Sequence, residues 1–339
     1  MICLAQLSNE EASLRRDATQ NPGSFAPNRK LAQFYLHQNK IAEAVPWLEK
    51  AERADPGNYD NGYDLALARL TTKDVAGSRS IVKALLTKQD RSELHNLMGD
   101  IEEASGNFDA AARQYEAAAR MDPSEKNLFD LGTDLLRHRA TEQALIVFRY
   151  AAPLFPSSPR IQIGLGIALY SAGQYPAAVD VLCRAVDLDP NDTKALEFLG
   201  GMYDVAPEMI DEVTKRLAHF VEVYPNNASA NYYYGLSLWR RVSGPTAAKS
   251  DPRIEKYLKR AIAIDSNLAA AHVQLGVLYS DQERKAEAIR EFEQAVEYDR
   301  DNTKYHYRLG QAYQSAGRND EAHKQFQRYR ELHGKPGEP

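Results

Sequence analysis

Glycines recur along this chain at a nearly constant spacing, which limits its architecture more than any other feature does. The steps are 33, 34, 34, 35, 41 and 34 residues between Gly99, Gly132, Gly166, Gly200, Gly235, Gly276 and Gly310. Prolines follow the same period at Pro22, Pro56, Pro123, Pro156, Pro190 and Pro225. Pro56 and Pro123 lie two periods apart, and Asp90 occupies the position between them. A fixed period of about 34 residues is typical of stacked helical hairpins.

Each repeat has the same internal order of large and small residues. The clearest one contains, in order, Leu165, Gly166, Leu169, Ala178, Leu182, Ala185 and Pro190. This order resembles the tetratricopeptide repeat (TPR), whose pattern is W-x2-L-G-x2-Y, then A-x3-F, then P. The resemblance covers residues 25–335. It implies an all-α fold, a right-handed superhelical solenoid of stacked antiparallel helix pairs.

Apolar spacing within each repeat predicts two amphipathic helices, A and B, joined by a short polar turn. A glycine inside helix A costs about 1 kcal/mol relative to alanine, so we expect it to admit helix B of its own repeat at close range. The matching small residues on helix B are Ala44, Ala111, Ala144, Ala178, Ala288 and Ala322. A second set should face the next repeat, namely Ala51, Ala118, Ala151, Ala185, Ala261 and Ala295. Proline then ends helix B.

Nine repeats are predicted over residues 25–336 when the glycine takes the eighth position. They start near Phe25, Tyr59, Ser92, Glu125, Pro159, Thr193, Ala228, Ala269 and Thr303. The second repeat is degenerate, because Ser78 occupies the helix-B position where other repeats have alanine, and no proline closes the repeat. The sixth repeat has Pro207 near the turn between its helices, and Glu212 occupies the helix-B position of the small residue. The 41-residue step predicts a loop insertion over residues 241–252 of the seventh.

Both ends of the array are expected to be capped. Ser8 and Glu11 form a capping box, which predicts a lone helix over Ser8–Gln20 within an N-terminal capping segment, residues 1–24. The last helix has a polar outer face, as a terminal repeat requires, and residues 337–339 are expected to be a disordered tail. Because no linker interrupts the period, we expect one continuous domain.

Composition narrows the classes of function. The formal charge is −5 with a pI near 6.0, so no global basic field attracts nucleic acid, and no apolar run reaches the ~20 residues that cross a bilayer. Cys183 is expected to be a small buried residue of helix B. The chain as written indicates a cytoplasmic protein. Because Cys3 and Ala5 resemble a signal-peptidase site, an exported, periplasmic protein with a signal peptide upstream of Met1 stays open.

No catalytic, cofactor or metal motif is visible in the sequence. His95, His272 and His306 all occupy the fourth position of a repeat, where the family pattern has a large ring. We therefore interpret them as packing residues rather than metal ligands. We expect no catalytic residues, no cofactor and no metal site, so the protein is expected not to be an enzyme.

The resemblance implies a binding surface on the concave side, lined by helix A at positions two, five, nine and twelve. The apolar candidates are Phe129, Ile163, Ile167, Tyr170, Tyr232 and Trp239, and the basic candidates at position two are Lys126, Arg160 and Lys194. Contiguous apolar surface usually marks a binding site. These residues predict a partner segment with apolar and acidic side chains, although packing between repeats and ordinary solvated lysines remain the alternative.

The chain departs from the chaperone-binding members of the family. Lys304 and Arg308 match one part of their carboxylate clamp, but Tyr232, Leu236 and Gln274 replace other members of it. A C-terminal EEVD-type ligand is therefore not expected. We expect a bacterial protein-protein interaction scaffold that binds a peptide or protein segment. The alternative is a regulatory or substrate-recognition subunit, or a fragment, of a larger enzyme or envelope complex.

Overall fold

The structure, a computed structural model, describes residues 2–241 and 251–334, with side chains from residue 9 onward. Over these residues it contains α-helices, one 3₁₀ turn (Pro207–Met209) and no β-strand. The helices are α1 (Ile2–Gln20), α2 (Phe25–His37), α3 (Ile41–Ala54), α4 (Tyr59–Thr71), α5 (Val75–Leu86), α6 (Ser92–Ala104), α7 (Phe108–Met121), α8 (Glu125–Arg137), α9 (Thr141–Leu154), α10 (Pro159–Ser171), α11 (Tyr175–Leu188), α12 (Thr193–Val205), α13 (Ile210–Val223), α14 (Ala228–Arg241), α15 (Pro252–Ile264), α16 (Ala269–Asp281), α17 (Lys285–Tyr298), α18 (Thr303–Ser315) and α19 (Asn319–His333).

Consecutive helices from α2 onward pack as the expected A and B pairs, so the all-α fold is confirmed. The A helices carry the even numbers, and each begins at the residue where the period places a repeat start. In seven of the nine repeats the turn after helix A is made by a residue with positive φ at the fifteenth position, for example Gly173 (φ 71°) and Gly317 (φ 76°). A left-handed residue ends a helix by satisfying its last carbonyl groups.

The chain divides into two compact units, an N-terminal unit that ends at Leu154 and a C-terminal unit that begins at Phe155. This differs from the single continuous domain that the unbroken period predicts. In a repeat array each hairpin is stabilised by its own core and its nearest neighbours, so a boundary between units needs no linker or break in the sequence period.

The recurrent glycines hold helices A and B of one repeat close together, as predicted. A Cβ atom on Gly99 would lie 2.6 Å from the ring of Tyr115, and one on Gly132 would lie 2.6 Å from the ring of Phe148. The same conflict arises at Gly166, Gly276 and Gly310 with the facing side chains of α11, α17 and α19. Both predicted sets of helix-B alanines are buried. In the second repeat Ser78 takes the small slot and donates a hydrogen bond to the Ala66 carbonyl oxygen (2.7 Å).

The sixth repeat departs from this packing. Its A-to-B turn contains the 3₁₀ segment Pro207–Met209 instead of a left-handed residue. A Cβ atom on Gly200 would meet the ring of Tyr233 on α14, at 2.1 Å, and none of its three nearest atoms belongs to its own helix B. The helix-A glycine of this repeat therefore receives a ring from the next repeat.

The first helix covers the first repeat, but it begins at Ile2, earlier than the capping box at Ser8 predicts. The capping box does not form, because the Glu11 side chain binds elsewhere: Tyr35 donates a hydrogen bond to Glu11 Oε1 (2.8 Å) and Arg15 donates another (3.1 Å). Leu14 and the buried Ala18 pack against the core of α2. The predicted tail at 337–339 and most of the inserted loop at 241–252 lie outside the described residues.

Candidate functional site

The predicted binding residues lie in both compact units, and the N-terminal unit holds Lys126 and Phe129 on α8. Lys126 is exposed, and its ammonium donates hydrogen bonds to Asp130 Oδ2 (2.7 Å) and to the amide oxygen of Asn96. Phe129 is half-buried, with its ring centroid 6.4 Å from that of Phe148. The first predicted basic residue therefore already has a carboxylate partner on its own helix.

In the C-terminal unit the two tyrosine candidates contact other aromatic rings, on their own helix or on a neighbouring one. The Tyr170 ring, on α10, makes edge contacts with Phe198 on α12 (5.4 Å) and with Tyr175 (5.8 Å). Tyr232, on α14, makes an edge contact with Tyr233 (4.8 Å). These rings are half-buried. Burial raises the pKa of Tyr232 to about 12, so its phenol stays neutral and offers a ring face with a polar end.

The other apolar candidates differ in their accessibility. Ile167 and Trp239 are half-buried, whereas Ile163 is only 5% exposed. Ile163 therefore belongs to the core of the unit and offers a partner little surface, which corrects its assignment to the binding face. The physical reason is that position five of helix A lies near the boundary between the packed and the open side of the repeat.

Arg160 and Lys194 are exposed in the first turns of α10 and α12. Each follows a capping side chain: Ser158 Oγ accepts a hydrogen bond from the Ile161 amide (3.2 Å), and Asp192 Oδ1 accepts one from the Lys194 amide (2.9 Å). The caps satisfy backbone amides at the helix starts, whereas a cation in the first turn opposes the helix dipole, so helix stability does not explain these two cationic side chains.

Sequence reasoning missed several aromatic residues beside this surface. Phe198, Tyr203 and Tyr233 are half-buried, and Arg240 lies 4.4 Å above the Tyr203 ring while approaching Asp204 (3.7 Å). They occupy positions six and eleven of their repeats, which the family pattern does not assign to the concave side. A count of aromatic side chains on the A helices could have found them.

Two of the three fourth-position histidines are buried packing residues, as expected, and they also make specific polar contacts, whereas His95 is half-buried beside Asp90 and Gln114. His272 and His306 are buried. In each, Nε2 lies about 3 Å from a backbone carbonyl oxygen six residues earlier, and Nδ1 lies 2.7 Å from a side chain of helix B, Glu291 or Gln325. They therefore tie helix A to helix B and to the preceding loop.

A cluster of polar side chains in the N-terminal unit was not expected from the sequence. Glu103 on α6 meets Asp134 and His138 of the next repeat, and their ligand atoms all lie within 4.8 Å of one another. Burial, with the nearby Glu103 carboxylate, raises the pKa of Asp134 to about 7. Among the described residues, these three side chains form a group whose geometry could hold a metal ion. Glu103 and His138 lie about one period apart, which is the available sequence signal.

Cys183 is buried, as expected, and burial raises the pKa of its thiol to about 12. Among residues 2–241 and 251–334, the helices lack the length and apolar character that a membrane span requires.

Comparison with known proteins identifies the repeats. Tetratricopeptide repeat models match residues 35–101, 96–128, 129–193 and 273–339. Protein CTR9 homolog of Arabidopsis thaliana is 24% identical over 229 residues, which is 60% of this chain but 21% of that protein. The chain thus spans about a fifth of the length of that relative.

One solved structure shows the same fold, and a second is similar to the chain in sequence. The C-terminal part of a TPR repeat-containing protein from Cytophaga hutchinsonii superposes with a TM-score of 0.51 at 16% identity, over 83% of this chain and 98% of that one. A thermophilic TPR protein of Thermus thermophilus gives a TM-score of 0.41 at 23% identity, over 53% of this chain and 93% of that one. With repeat models matching well over half of its residues, the chain belongs to the tetratricopeptide repeat family.

Proposed function

We propose that the protein is a non-catalytic interaction scaffold that binds a segment of a partner protein on the A helices of its C-terminal unit. TPR proteins are generally protein-interaction scaffolds, and repeat arrays bind partners on extended surfaces. The observation that carries the proposal is the set of half-buried aromatic rings on the neighbouring helices α10, α12 and α14.

Half-buried rings suit this role for an energetic reason. Tyr170 is held by Phe198 and Tyr175, and Tyr232 by Tyr233, so these rings lose little conformational entropy when a partner covers them. Aromatic anchors commonly contribute 2 kcal/mol or more each to binding, measured as the cost of truncation. Trp239 and Ile167 extend the same apolar set within the unit.

The exposed cations add selectivity for an acidic partner. Arg160 and Lys194 lie in the first turns of α10 and α12, and each exposed charge pair contributes about 0–1 kcal/mol. Such charges mainly raise the association rate, and salt weakens them. In the N-terminal unit, Phe129 and Lys126 form the corresponding surface of α8, where Asp130 already neutralises the lysine.

The test begins with affinity capture from the native organism and identification of the partner by mass spectrometry. Binding of the purified partner is then measured for the parent chain and for Tyr170→Ala/Trp239→Ala. Tyr150→Ala, which removes an exposed ring from α9, is the matched control. We expect the double variant to lose at least about a hundredfold in affinity, from two anchors of ~2 kcal/mol each with partial additivity, and the control to keep it.

Reversing Arg160 and Lys194 to glutamate should weaken binding more at low salt than at high salt, because exposed charges are screened. If the double alanine variant is folded and retains the partner fully, these A helices are not the binding surface.

A further inference from the structure

Two adjacent A helices of the N-terminal unit present three potential metal ligands to one point. Glu103 lies in the last turn of α6, Asp134 lies in the last turn of α8, and His138 directly follows α8 as its C-cap. His138 Nε2 contacts Glu103 Oε1 and lies 3.8 Å from Asp134 Oδ1. Zinc bound by nitrogen and oxygen at about 2.0–2.2 Å needs its ligand atoms roughly 3–3.6 Å apart, so small side-chain movements suffice to close the site.

The Asp134 carboxyl, which contacts Glu103 through a side-chain hydrogen bond, supplies an independent observation, because its second oxygen has no partner. Asp134 is only 2% exposed, and its Oδ1 atom is buried without a hydrogen bond to any described residue. A buried carboxylate oxygen left without a partner is strongly unfavourable. Because this atom faces His138 Nε2, a cation bound between them would supply the missing interaction.

The surrounding charges are compatible with a dication. Arg137 donates a hydrogen bond to Glu103 Oε2 (3.2 Å), which leaves Oε1 directed at His138. The guanidinium balances one of the two carboxylates, so Glu103, Asp134 and Arg137 together carry one net negative charge when the acids are ionised. Glu103 and His138 side chains are 15% and 27% exposed, so an ion and a water ligand can reach the site from solvent.

We propose that Glu103, Asp134 and His138 form a binding site for a divalent transition metal of the zinc class. One imidazole and two carboxylates form the protein ligand set, and the imidazole favours zinc, cobalt or nickel over magnesium and calcium. The bound ion joins α6 to α8 and thereby cross-links the third and fourth repeats of the N-terminal unit. This site is separate from the aromatic surface of the C-terminal unit.

The test uses the full chain, stripped of metal with a chelator and titrated with ZnCl₂ by isothermal calorimetry. We expect one saturable site, with Co²⁺ giving a visible absorption band when it replaces Zn²⁺. His138→Gln and Asp134→Asn should each weaken Zn²⁺ binding at least tenfold, because even the loss of an outer-shell partner costs 10- to 100-fold.

His95→Gln is the matched control, since His95 is near Asp90 and Gln114 (each 2.7 Å) but belongs to no three-ligand group. Zn²⁺ should raise the melting temperature of the parent and of His95→Gln, but not of His138→Gln, because a ligand of the folded state stabilises it. Absence of a one-to-one site overturns the proposal. Equal Zn²⁺ affinity in the parent and in a folded His138→Gln variant also overturns it.

Discussion

Replacing Gly166 with alanine tests the close approach of helices A and B with the addition of one carbon atom. A Cβ atom at this position would lie 2.5 Å from Leu182 Cδ2 and 2.7 Å from Leu182 Cγ. Leu182 is 0% exposed, so its side chain has no open space to move into. Either α10 and α11 move apart or Leu182 adopts a strained rotamer.

Two opposite contributions determine the change in the free energy of unfolding. Alanine is more favourable than glycine inside a helix by about 1 kcal/mol, whereas overpacking a tight core costs about 1–3 kcal/mol. Gly166→Ala should therefore destabilise the protein by about 0–2 kcal/mol, and Gly166→Leu, which adds further carbon atoms, by more.

Gly201 provides the matched control within the same compact unit. It lies inside α12, and a Cβ atom there meets no atom within 4 Å. Gly201→Ala retains only the favourable helix contribution and should stabilise the protein by up to about 1 kcal/mol. The two alanine variants should differ by about 1–3 kcal/mol.

Urea unfolding followed by far-ultraviolet circular dichroism measures this difference. Because repeat arrays can unfold with reduced cooperativity, hydrogen exchange of the α10 and α11 amides should be measured as well. Faster exchange in these helices for Gly166→Ala, but not for Gly201→Ala, supports the packing role. If both variants stabilise the protein equally, the role assigned to Gly166 is wrong.

Three further predictions concern other contacts. Burial alone would raise the pKa of Glu255, but the ammonium of Lys259, the guanidinium of Arg284 and the Tyr279 hydroxyl lower it to about 2. This carboxylate therefore stabilises the folded state above its ordinary pKa near 4.5, by about 2–3 kcal/mol, and the contribution disappears as the pH falls from 4.5 to 2. Glu255→Gln should lower the free energy of unfolding at pH 7 and have little effect at pH 2; an equal effect at both values would contradict this. Tyr233→Ala removes the ring that fills the space above Gly200 and should destabilise the protein by about 2–4 kcal/mol in urea unfolding, whereas an unchanged midpoint would show that the ring is dispensable. Because Cys183 is buried with a raised thiol pKa, its alkylation at pH 8 in a Cys3→Ser background should be far slower in the native protein than in denaturant, and equal rates would refute its burial.

The repeat organisation is readable from the sequence because each recurrent position has one packing role. Gly132 and Gly166 face large buried side chains of their own repeats, and a larger residue at either position would conflict with its facing helix. The helix-B alanines are buried for the same reason. These constraints act within one hairpin, so the spacing of residues along the chain carries them.

Other features depend on contacts that spacing does not encode. The first helix begins before Ser8, and Glu11 binds Tyr35 instead of capping a helix end. Gly200 receives its ring from the next repeat, in the one repeat whose described turn contains a 3₁₀ segment.

The candidate site was predicted less completely than the fold. Helix A presents a packed side and an open side, and the family positions do not separate them sharply. Ile163 is therefore in the core while Tyr170 is half-buried. The cluster around Asp134 arises because residues about one period apart meet on neighbouring A helices. Such pairs are visible only when two repeats are compared position by position.

Site-specific photo-crosslinking tests the central claim, that a partner protein docks on the A helices of the C-terminal unit. Benzoylphenylalanine is placed at Tyr170, at Trp239 and, as a control on α9, at Tyr150, and each variant is irradiated with the captured partner. We predict crosslinks to one segment of the partner from Tyr170 and Trp239, and none from Tyr150. Crosslinking from Tyr150 alone, with binding affinity retained by all three variants, would contradict the account.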